Sequence, residues 1–386
     1  MRIAIICTLY PPYVLGGAEI SVSLLAEKLV ANGHKVSVLT TGNKYSEEIQ
    51  NGVKVYRIKN KNIYWRYPQR DKNIIKKSLW HLIDIFNWRY KEDIKNIIYQ
   101  INPDIVNTSN LCGISSVAWD IVHKMNIPIV HTLRDYYLLC PQQTMIKGTT
   151  SCKKQCMICK TYSIFKKKMS QKVDAVVGIS DFILQQHLRL GYFRNASKKV
   201  VISNSINIIS ETKPHIMNTF GYIGRLSPEK GIEFMIEAFR QSTIINKKLL
   251  IAGTGNKEYE QTLRAKYASE NVIFLGLQKQ VSFFKMIDLL IVPSLWNEPF
   301  GRVVIEAYAS KTPVFMASNG GLKELQVDNI SWCFDTNDIE NLTKLIDKSN
   351  CLHIDNAKFE KIVSKYSKTV ITKKYEDLFL EIISNK

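Results

Sequence analysis

Along this 386-residue chain, short apolar runs alternate with stretches of helical periodicity; the alternation breaks once and then begins again. In the first series the apolar runs are residues 2–8, 35–39, 53–57, 105–107, 129–131, 175–178 and 200–202, with helical patterns such as 18–31, 115–124 and 182–190 between them. In the second, runs at 220–223, 248–252, 272–275, 289–292 and 313–317 alternate with helical patterns at 231–239, 259–267, 281–287, 303–309, 322–327 and 339–349. Strands separated by helices of this length pair in parallel, and a parallel sheet is covered on both faces. The break at 207–218 is polar and contains Pro214, as a linker would. A chain this long also exceeds the usual single core. The spacing predicts an α/β protein of two doubly wound, Rossmann-like domains, residues 1–207 and 218–365. A last helical pattern within 366–386 carries Tyr375, Leu378 and Leu380 and is expected to return to the first domain.

Hydrophobic and charged contents of 45% and 23% fit an ordinary globular chain. No run approaches the roughly eighteen apolar residues of a membrane-spanning helix. The apolar start Met1–Cys7 is too short for a signal peptide and is followed by Pro11-Pro12, so a cytoplasmic protein is expected. The net charge of +19 points to a polyanionic partner, either nucleic acid or an anionic membrane surface. No zinc-finger, RRM-like or KH-like signature supports specific nucleic-acid binding. The charge gathers in residues 60–94, where Lys61, Arg66, Arg70, Lys72, Lys76, Lys77, Arg89 and Lys91 alternate with Tyr64, Trp65, Tyr67, Trp80, Phe86, Trp88 and Tyr90. Within it Ile75, Leu79, Leu82, Ile83 and Phe86 recur at helical spacing. Such a helix either lies on the cytoplasmic face of a membrane or packs its apolar stripe on its own domain.

Of eight cysteines, Cys7, Cys112, Cys333 and Cys351 are scattered and read as small hydrophobes. Cys140, Cys152, Cys156 and Cys159 cluster in a lysine-rich loop. Their spacing is near, but not equal to, that of a structural zinc site, so metal or cluster ligation, a disulfide and free thiols all stay open. A reducing compartment disfavours the disulfide.

The residues with chemistry lie where strands end, and ligands of open α/β sheets bind at the carboxyl ends of strands. After the strand 289–292 come Asn297-Glu298-Pro299-Phe300-Gly301 and, seven residues beyond Glu298, Glu306. Phe300-Gly301 breaks the chain before a helix, leaving one carboxylate at the helix entrance and the other about two turns inside. Two acids there suit the hydroxyls of a polyol. After the strand 220–223 come Gly224-Arg225, Lys230 and a helix start at Gly231. Two cations beside a helix N-terminus suit a diphosphate. Gly253 and Gly255 open a loop on the same rim, as does Gly320-Gly321. Neither a P-loop nor paired metal-binding aspartates are present, so the cations stand in for magnesium; neither a metal nor another cofactor is expected. In the first domain, Gly16-Gly17 at a strand-to-helix turn either bares backbone to a ligand or only shapes the turn. His131 closes a strand, either at the rim of a cleft or as a packing residue. Asp135 either caps the next turn or polarises the site, and Arg134 reads as a solvated charge.

These motifs resemble those of the retaining glycosyltransferases of family GT4, over nearly the whole chain. The resemblance implies the GT-B fold, with two Rossmann-like domains facing a deep cleft. It implies that Gly224, Arg225 and Lys230 hold the donor diphosphate and that Glu298 sits by the transferred sugar. It further implies that Glu306 holds the ribose, that Gly16 and Gly17 lie beside donor and acceptor, and that His131 lies near the transferred sugar. Asp135, Cys140-Pro141 and the cysteines that follow resemble a subset of the family. Two departures are His131-Thr132-Leu133-Arg134-Asp135, where many members have His-Asp adjacent, and Ser203-Asn204-Ser205-Ile206, where many have Pro-Asn-Gly-Val. The implied activity is sugar transfer from a nucleotide sugar to a saccharide or lipid-linked saccharide in cell-surface polysaccharide or glycoconjugate synthesis. Arg225 and Lys230 would stabilise the leaving diphosphate, and attack would come from its own face. Other readings are a sugar-nucleotide epimerase or phosphorylase of this fold, or a non-enzymatic polyanion-binding protein.

Overall fold

The computed structural model describes residues 1–65, 67, 73–206 and 218–386. Most of the expected linker, and Arg66, Arg70 and Lys72 of the basic segment, lie outside the described residues. The chain forms two compact units: unit 1 holds Met1–Met145, Lys153–Ser205 and Lys368–Lys386, and unit 2 holds Ile146–Cys152 and Ile206–Ser367.

Unit 1 is built on β1 (Arg2–Cys7), β2 (Lys35–Gly42), β3 (Ser46–Gln50), β4 (Val53–Lys59), β5 (Ile105–Ser109) and β6 (Ile129–Leu133). A short hairpin, β7 (Ile146–Lys147) with β8 (Thr150–Ser151), follows, and then β9 (Ala175–Gly178) and β10 (Lys198–Val201). The sheet order is β10-β9-β6-β5-β1-β2-β4-β3, parallel throughout except for β3. In β1, residues 3–7 are all buried, as expected of a strand covered on both faces. β3 was not legible from alternation, since its sequence SEEIQ is almost wholly polar. It is an edge strand held by a tight hairpin whose turn, Asn51-Gly52, takes positive φ at both residues, the geometry this dipeptide favours.

The helices of unit 1 are α1 (Gly17–Ala31), α2 (Ile74–Ile85), α3 (Lys91–Ile101), α4 (Val117–Lys124), α5 (Met157–Met169) and α6 (Asp181–Arg189). Unit 2 carries strands β11 (Thr219–Ile223), β12 (Lys248–Ala252), β13 (Val272–Gly276), β14 (Leu289–Val292), β15 (Val314–Ala317) and β16 (Ser331–Phe334). Its helices are α7 (Ile232–Gln241), α8 (Lys257–Tyr267), α9 (Gln280–Phe284), α10 (Arg302–Ala309), α11 (Ile339–Asp347) and α12 (Asn356–Lys365). The sheet order is β13-β12-β11-β14-β15-β16, all parallel. The segment expected as a helix at 322–327 is a 3₁₀ turn, Gly320–Leu325.

The last helix, α13 (Lys368–Ser384), belongs to unit 1 and packs against α1. Ile371, Tyr375, Leu378, Phe379 and Ile382 are buried in the same core as Val22, Leu25 and Leu29 of α1. Each such side chain contributes roughly 1.5–3 kcal/mol by leaving water. Glu376 fixes the register, accepting from Asn32 Nδ2 at 2.7 Å and bonding His34 Nε2 at 3.0 Å.

Both sheets reverse direction once. In unit 1 the order turns between β1 and β5, and in unit 2 between β11 and β14. A crevice opens at the carboxyl ends of strands at such a switch point, which is where an open α/β sheet takes its ligand.

Candidate active site

In unit 2 the loops leaving β11 and β14 carry the expected residues to that switch point. Gly224-Arg225 follows β11, and a single 3₁₀ turn, Pro228–Lys230, leads through Gly231 into α7. Lys230 reaches across to the β14 loop, with its Nζ 2.5 Å from Glu298 Oε1 and 5.2 Å from the centroid of Trp296. The same Glu298 oxygen accepts from Ser294 Oγ at 2.7 Å. Burial would raise the Glu298 carboxyl, but the Lys230 ammonium, aided by Ser294 and Trp296, outweighs it and holds the group below its ordinary value. Glu298, 12% exposed, is therefore an ionised carboxylate held largely out of water. Arg225 is half exposed and pairs with Glu229 at 3.0 Å.

Glu306 lies inside α10, where it accepts from Arg302 Nε and Gln280 Nε2, each at 2.7 Å. Burial pushes its carboxyl up, against the pull of Arg302 and Gln280. Glu298 and Glu306 thus differ in setting: one is bound to a lysine, the other is buried and balanced by a guanidinium and an amide.

The glycines divide by what surrounds them. A Cβ on Gly253 would fall 1.8 Å from Gly224 O, and one on Gly255 would fall 1.8 Å from Leu226 O. The loops after β11 and β12 run in backbone contact, with Gly224 N donating to Ala252 O at 3.1 Å and Leu226 N to Thr254 O at 2.9 Å. Gly253 and Gly255 are therefore filled by their own chain and set the position of Gly224-Arg225. Phe300 is buried with its ring 6.1 Å from that of Tyr366, so its side chain packs inside unit 2. Gly301 caps α10 with φ of +106°. Next to Glu298, Asn297 N donates to Ser151 Oγ of the β7–β8 hairpin at 2.9 Å, which accounts for the hairpin's place in unit 2.

Unit 1 has its own pocket, open to solvent, at its switch point. The loop after β1 supplies Leu15 and the first turn of α1 supplies Glu19, the loop after β5 supplies Asn110 and Gly113, and the loop after β6 supplies Asp135 and Gln143. Trp65, Tyr67 and Trp80 form its aromatic wall. Tyr13 backs that wall, with ring centroids 5.0 Å from Trp65 and 5.2 Å from Tyr67. Asp135 caps the turn, with Oδ1 accepting from Tyr137 N at 2.9 Å, while Oδ2 accepts from Asn110 Nδ2 at 2.9 Å beside the pocket. Burial pushes the Glu19 carboxyl up, and Asp135 adds to that, while Gly16 N donates to it at 3.0 Å.

Gly16 is the N-cap of α1, with an extended φ of −168° that any residue adopts, and a Cβ there would meet nothing within 4 Å. Neither backbone conformation nor crowding demands glycine at 16, so turn geometry does not account for it. Gly17 is the first residue of α1.

The expectation for His131 is corrected. Its side chain does not line the pocket but lies within unit 1, 4% exposed. The ring stacks on Phe193 at 5.7 Å and meets the edge of Trp119 at 4.9 Å, while Nδ1 bonds Thr108 Oγ1 at 2.8 Å. Burial drives its pKa down to about 3, so it is a neutral packing residue. Arg134 is likewise not solvated: it is buried, donating to Ser109 Oγ at 3.0 Å and to Asn204 Oδ1. The strand brings Asp135, not His131, to the rim.

All eight cysteines are free thiols. Among the described residues no group of three or more His, Cys, Asp or Glu is arranged to hold a metal ion. Cys156 is the N-cap of α5, and hydrogen bonds from the backbone N–H and thiol of Cys159 hold its own thiol below the ordinary value.

Sequence reasoning missed Trp296, Ser294, Gln280, Asn110 and Gln143. Their identity carries no signal; only the return of each loop to a switch point brings them to the site.

The comparisons with known proteins agree with this arrangement. Residues 15–209 match the family described as Glycosyltransferase Family 4, and residues 205–368 match the family described as Glycosyl transferases group 1. A protein of the cps region of Klebsiella pneumoniae is 35% identical over 348 residues, covering 89% of this chain and 92% of its own. In fold, sucrose-phosphate synthase from Thermosynechococcus elongatus aligns with a TM-score of 0.74 at 19% identity, covering 100% of this chain and 99% of its own. HepE of Anabaena, solved with UDP, aligns with a TM-score of 0.72 at 18% identity, covering 99% of this chain and 100% of its own. With two parallel-sheet units of the GT-B kind and both family matches in register with them, the chain belongs to the group 1, family 4 glycosyltransferases.

Proposed function

We propose that this glycosyltransferase moves a sugar, with retention of configuration, from a nucleoside-diphosphate sugar to a saccharide or lipid-linked saccharide in cell-surface polysaccharide synthesis. The observation that carries the reading is the junction of the β11 and β14 loops, where Lys230, Glu298 and Trp296 meet beside Gly224-Arg225. The relative from a cps region supports the polysaccharide assignment, and the UDP in HepE makes uridine donors the first to test.

Lys230 and Arg225 answer the charge that develops on the leaving diphosphate. Each has a carboxylate partner in the free protein, Lys230 with Glu298 and Arg225 with Glu229. Each therefore arrives at the donor already oriented. A double displacement would need a carboxylate nucleophile at the anomeric carbon. Glu298 is poorly suited to that role, because Oε1 already accepts from both Lys230 and Ser294. It is better suited to orienting Lys230 and the donor sugar, which supports attack from the face of the departing phosphate, with that phosphate oxygen taking the acceptor's proton. In unit 1, Asp135, Glu19 and Asn110 offer hydrogen bonds and Trp65 and Tyr67 offer ring faces. That combination suits the polar edge and apolar face of an acceptor sugar ring.

The test is a donor panel: the protein is heated with each nucleotide sugar in turn, and turnover is then followed with the donor that protects. A donor that raises the melting temperature in wild type and is consumed, with loss of both effects in Lys230→Ala, is the expected result. Products inverted at the anomeric carbon would overturn the retaining assignment.

A further inference from the structure

Four aliphatic residues of α2 face water rather than its own domain. Ile74 and Ile75 are each 79% exposed, Leu79 is 50% exposed and Leu82 is 54% exposed. The face turned inward carries Trp80, His81 and Asp84, all buried. Of the stripe marked in the sequence, Ile75, Leu79 and Leu82 face water, whereas Ile83 and Phe86 are half-buried.

Beside α2 lies α5. Tyr162 OH donates to Ser78 O at 3.4 Å, and Phe86 meets Phe165 edge to face at 4.8 Å. α5 repeats the inversion, with Met157 75% exposed, Ile158 67% and Ile164 68%. Met157, Thr161, Ile164 and Lys168 recur at i, i+4, i+7 and i+11, one stripe of the helix. Neither helix exposes an acid: α5 contains none, and the single acid of α2, Asp84, is fully buried. Exposed lysines accompany the apolar residues, with Lys77 on α2, Lys160 and Lys168 on α5, and Lys153 and Lys154 just before α5.

Seven large side chains, aliphatic or thioether, stand in water on two helices whose exposed described charges are all cations, and they call for a partner that is apolar inside and anionic at its surface. A second copy of this chain would bring the same positive field, and like charges facing each other oppose that contact. An anionic bilayer meets both demands, since aliphatic side chains enter the acyl boundary while lysines reach the headgroups. The inward face of α2 has a second consequence, because Trp80 is part of the wall of the unit 1 pocket. A helix is about 10 Å across, so the pocket lies about that far from the exposed stripe.

We propose that α2 and α5 seat unit 1 on an anionic lipid bilayer, with the Trp80-walled pocket held at the height of a sugar carried by a membrane lipid. The acceptor half rests on the reading of the pocket given above, whereas the docking half does not. The experiment is co-flotation of the full chain with phosphatidylcholine vesicles, with and without phosphatidylglycerol, at low and at about 0.15 M salt. Two variants are compared with wild type: Ile75→Ser with Leu79→Ser and Leu82→Ser, and Ile158→Ser with Ile164→Ser. These side chains are exposed, so both variants should fold, as circular dichroism and melting temperature will show. Wild type should float with the anionic vesicles only, and less at higher salt, with each variant partitioning about tenfold less. Failure of wild type to float at low salt, or flotation unchanged in both variants, would overturn docking. A wild-type dimer that the same substitutions convert to monomer, without vesicle binding, would assign the face to a second copy instead. Docking with no donor consumed would leave the membrane surface standing and remove the acceptor reading.

Discussion

Glu298 is a largely covered carboxylate that stays ionised because Lys230 and Ser294 converge on one of its oxygens. Removing the lysine does two separable things. Lys230→Ala should lower turnover by about 10²–10³, some 2.7–4 kcal/mol of transition-state stabilisation, as for other preorganised electrostatic groups. It should also lower the melting temperature, since the carboxylate left behind is buried without its cation. Kinetics and calorimetry on one preparation read both; a variant with unchanged turnover would remove Lys230 from the chemistry. His131 belongs to the opposite case. Its folded pKa of about 3 lies below the unfolded value near 6.5, so between those values only the unfolded chain takes the proton. Its contribution is fully present above pH 6.5 and is lost as pH falls, by up to about 1.4 kcal/mol per unit. Denaturant titrations at pH 7 and pH 5 should show a smaller loss in His131→Gln than in wild type. At this scale the sequence marked Arg225, Lys230, Glu298 and Glu306, because unusual side chains stood next to strand ends. It could not tell a rim histidine from a packing one, since neighbours such as Phe193 are remote in sequence and set by the fold.

At the scale of elements, the start of α10 depends on Gly301. Its φ is +106°, and a Cβ there would lie 2.3 Å from Leu322 Cδ2. Gly301→Ala should destabilise unit 2 by roughly 1–3 kcal/mol through backbone strain, more if Leu322 cannot move. Urea titration measures the loss, and an unchanged midpoint would mean that the turn relaxes freely. α2 offers an internal comparison, since its two faces have opposite roles. Trp80→Ala should cost about 3–5 kcal/mol, as for large aromatics in cores. Leu79→Ser, one residue away, should change stability by no more than about 0.5 kcal/mol, as surface changes do. Equal losses would mean that the Leu79 side is covered after all. The periodicity of α2 was legible in the sequence, but its orientation was not.

At the scale of the molecule, the cationic excess bears on how phosphate is handled. Around Lys230 and Arg225 the acids on the β11 and β14 loops are Glu229 and Glu298, each already paired with a cation. Donor consumption should therefore survive chelation of divalent ions. A strict requirement for added magnesium or manganese would transfer the electrostatic role from these side chains to a metal. What the sequence by itself determined was the two rounds of strand and helix, the glycine-punctuated strand ends and the four charged residues that follow two of them. These follow from local periodicity and turn chemistry, which need no knowledge of distant neighbours. Only the tertiary structure decided that Gly253 and Gly255 are filled by their own backbone while Gly16 is open, that Asp135 rather than His131 reaches the rim, and that α2 turns its aliphatic side to water. The physical reason is the same in each case. A repeat along the chain says which side chains share a face, whereas burial, close approach and paired charge depend on what stands across from that face.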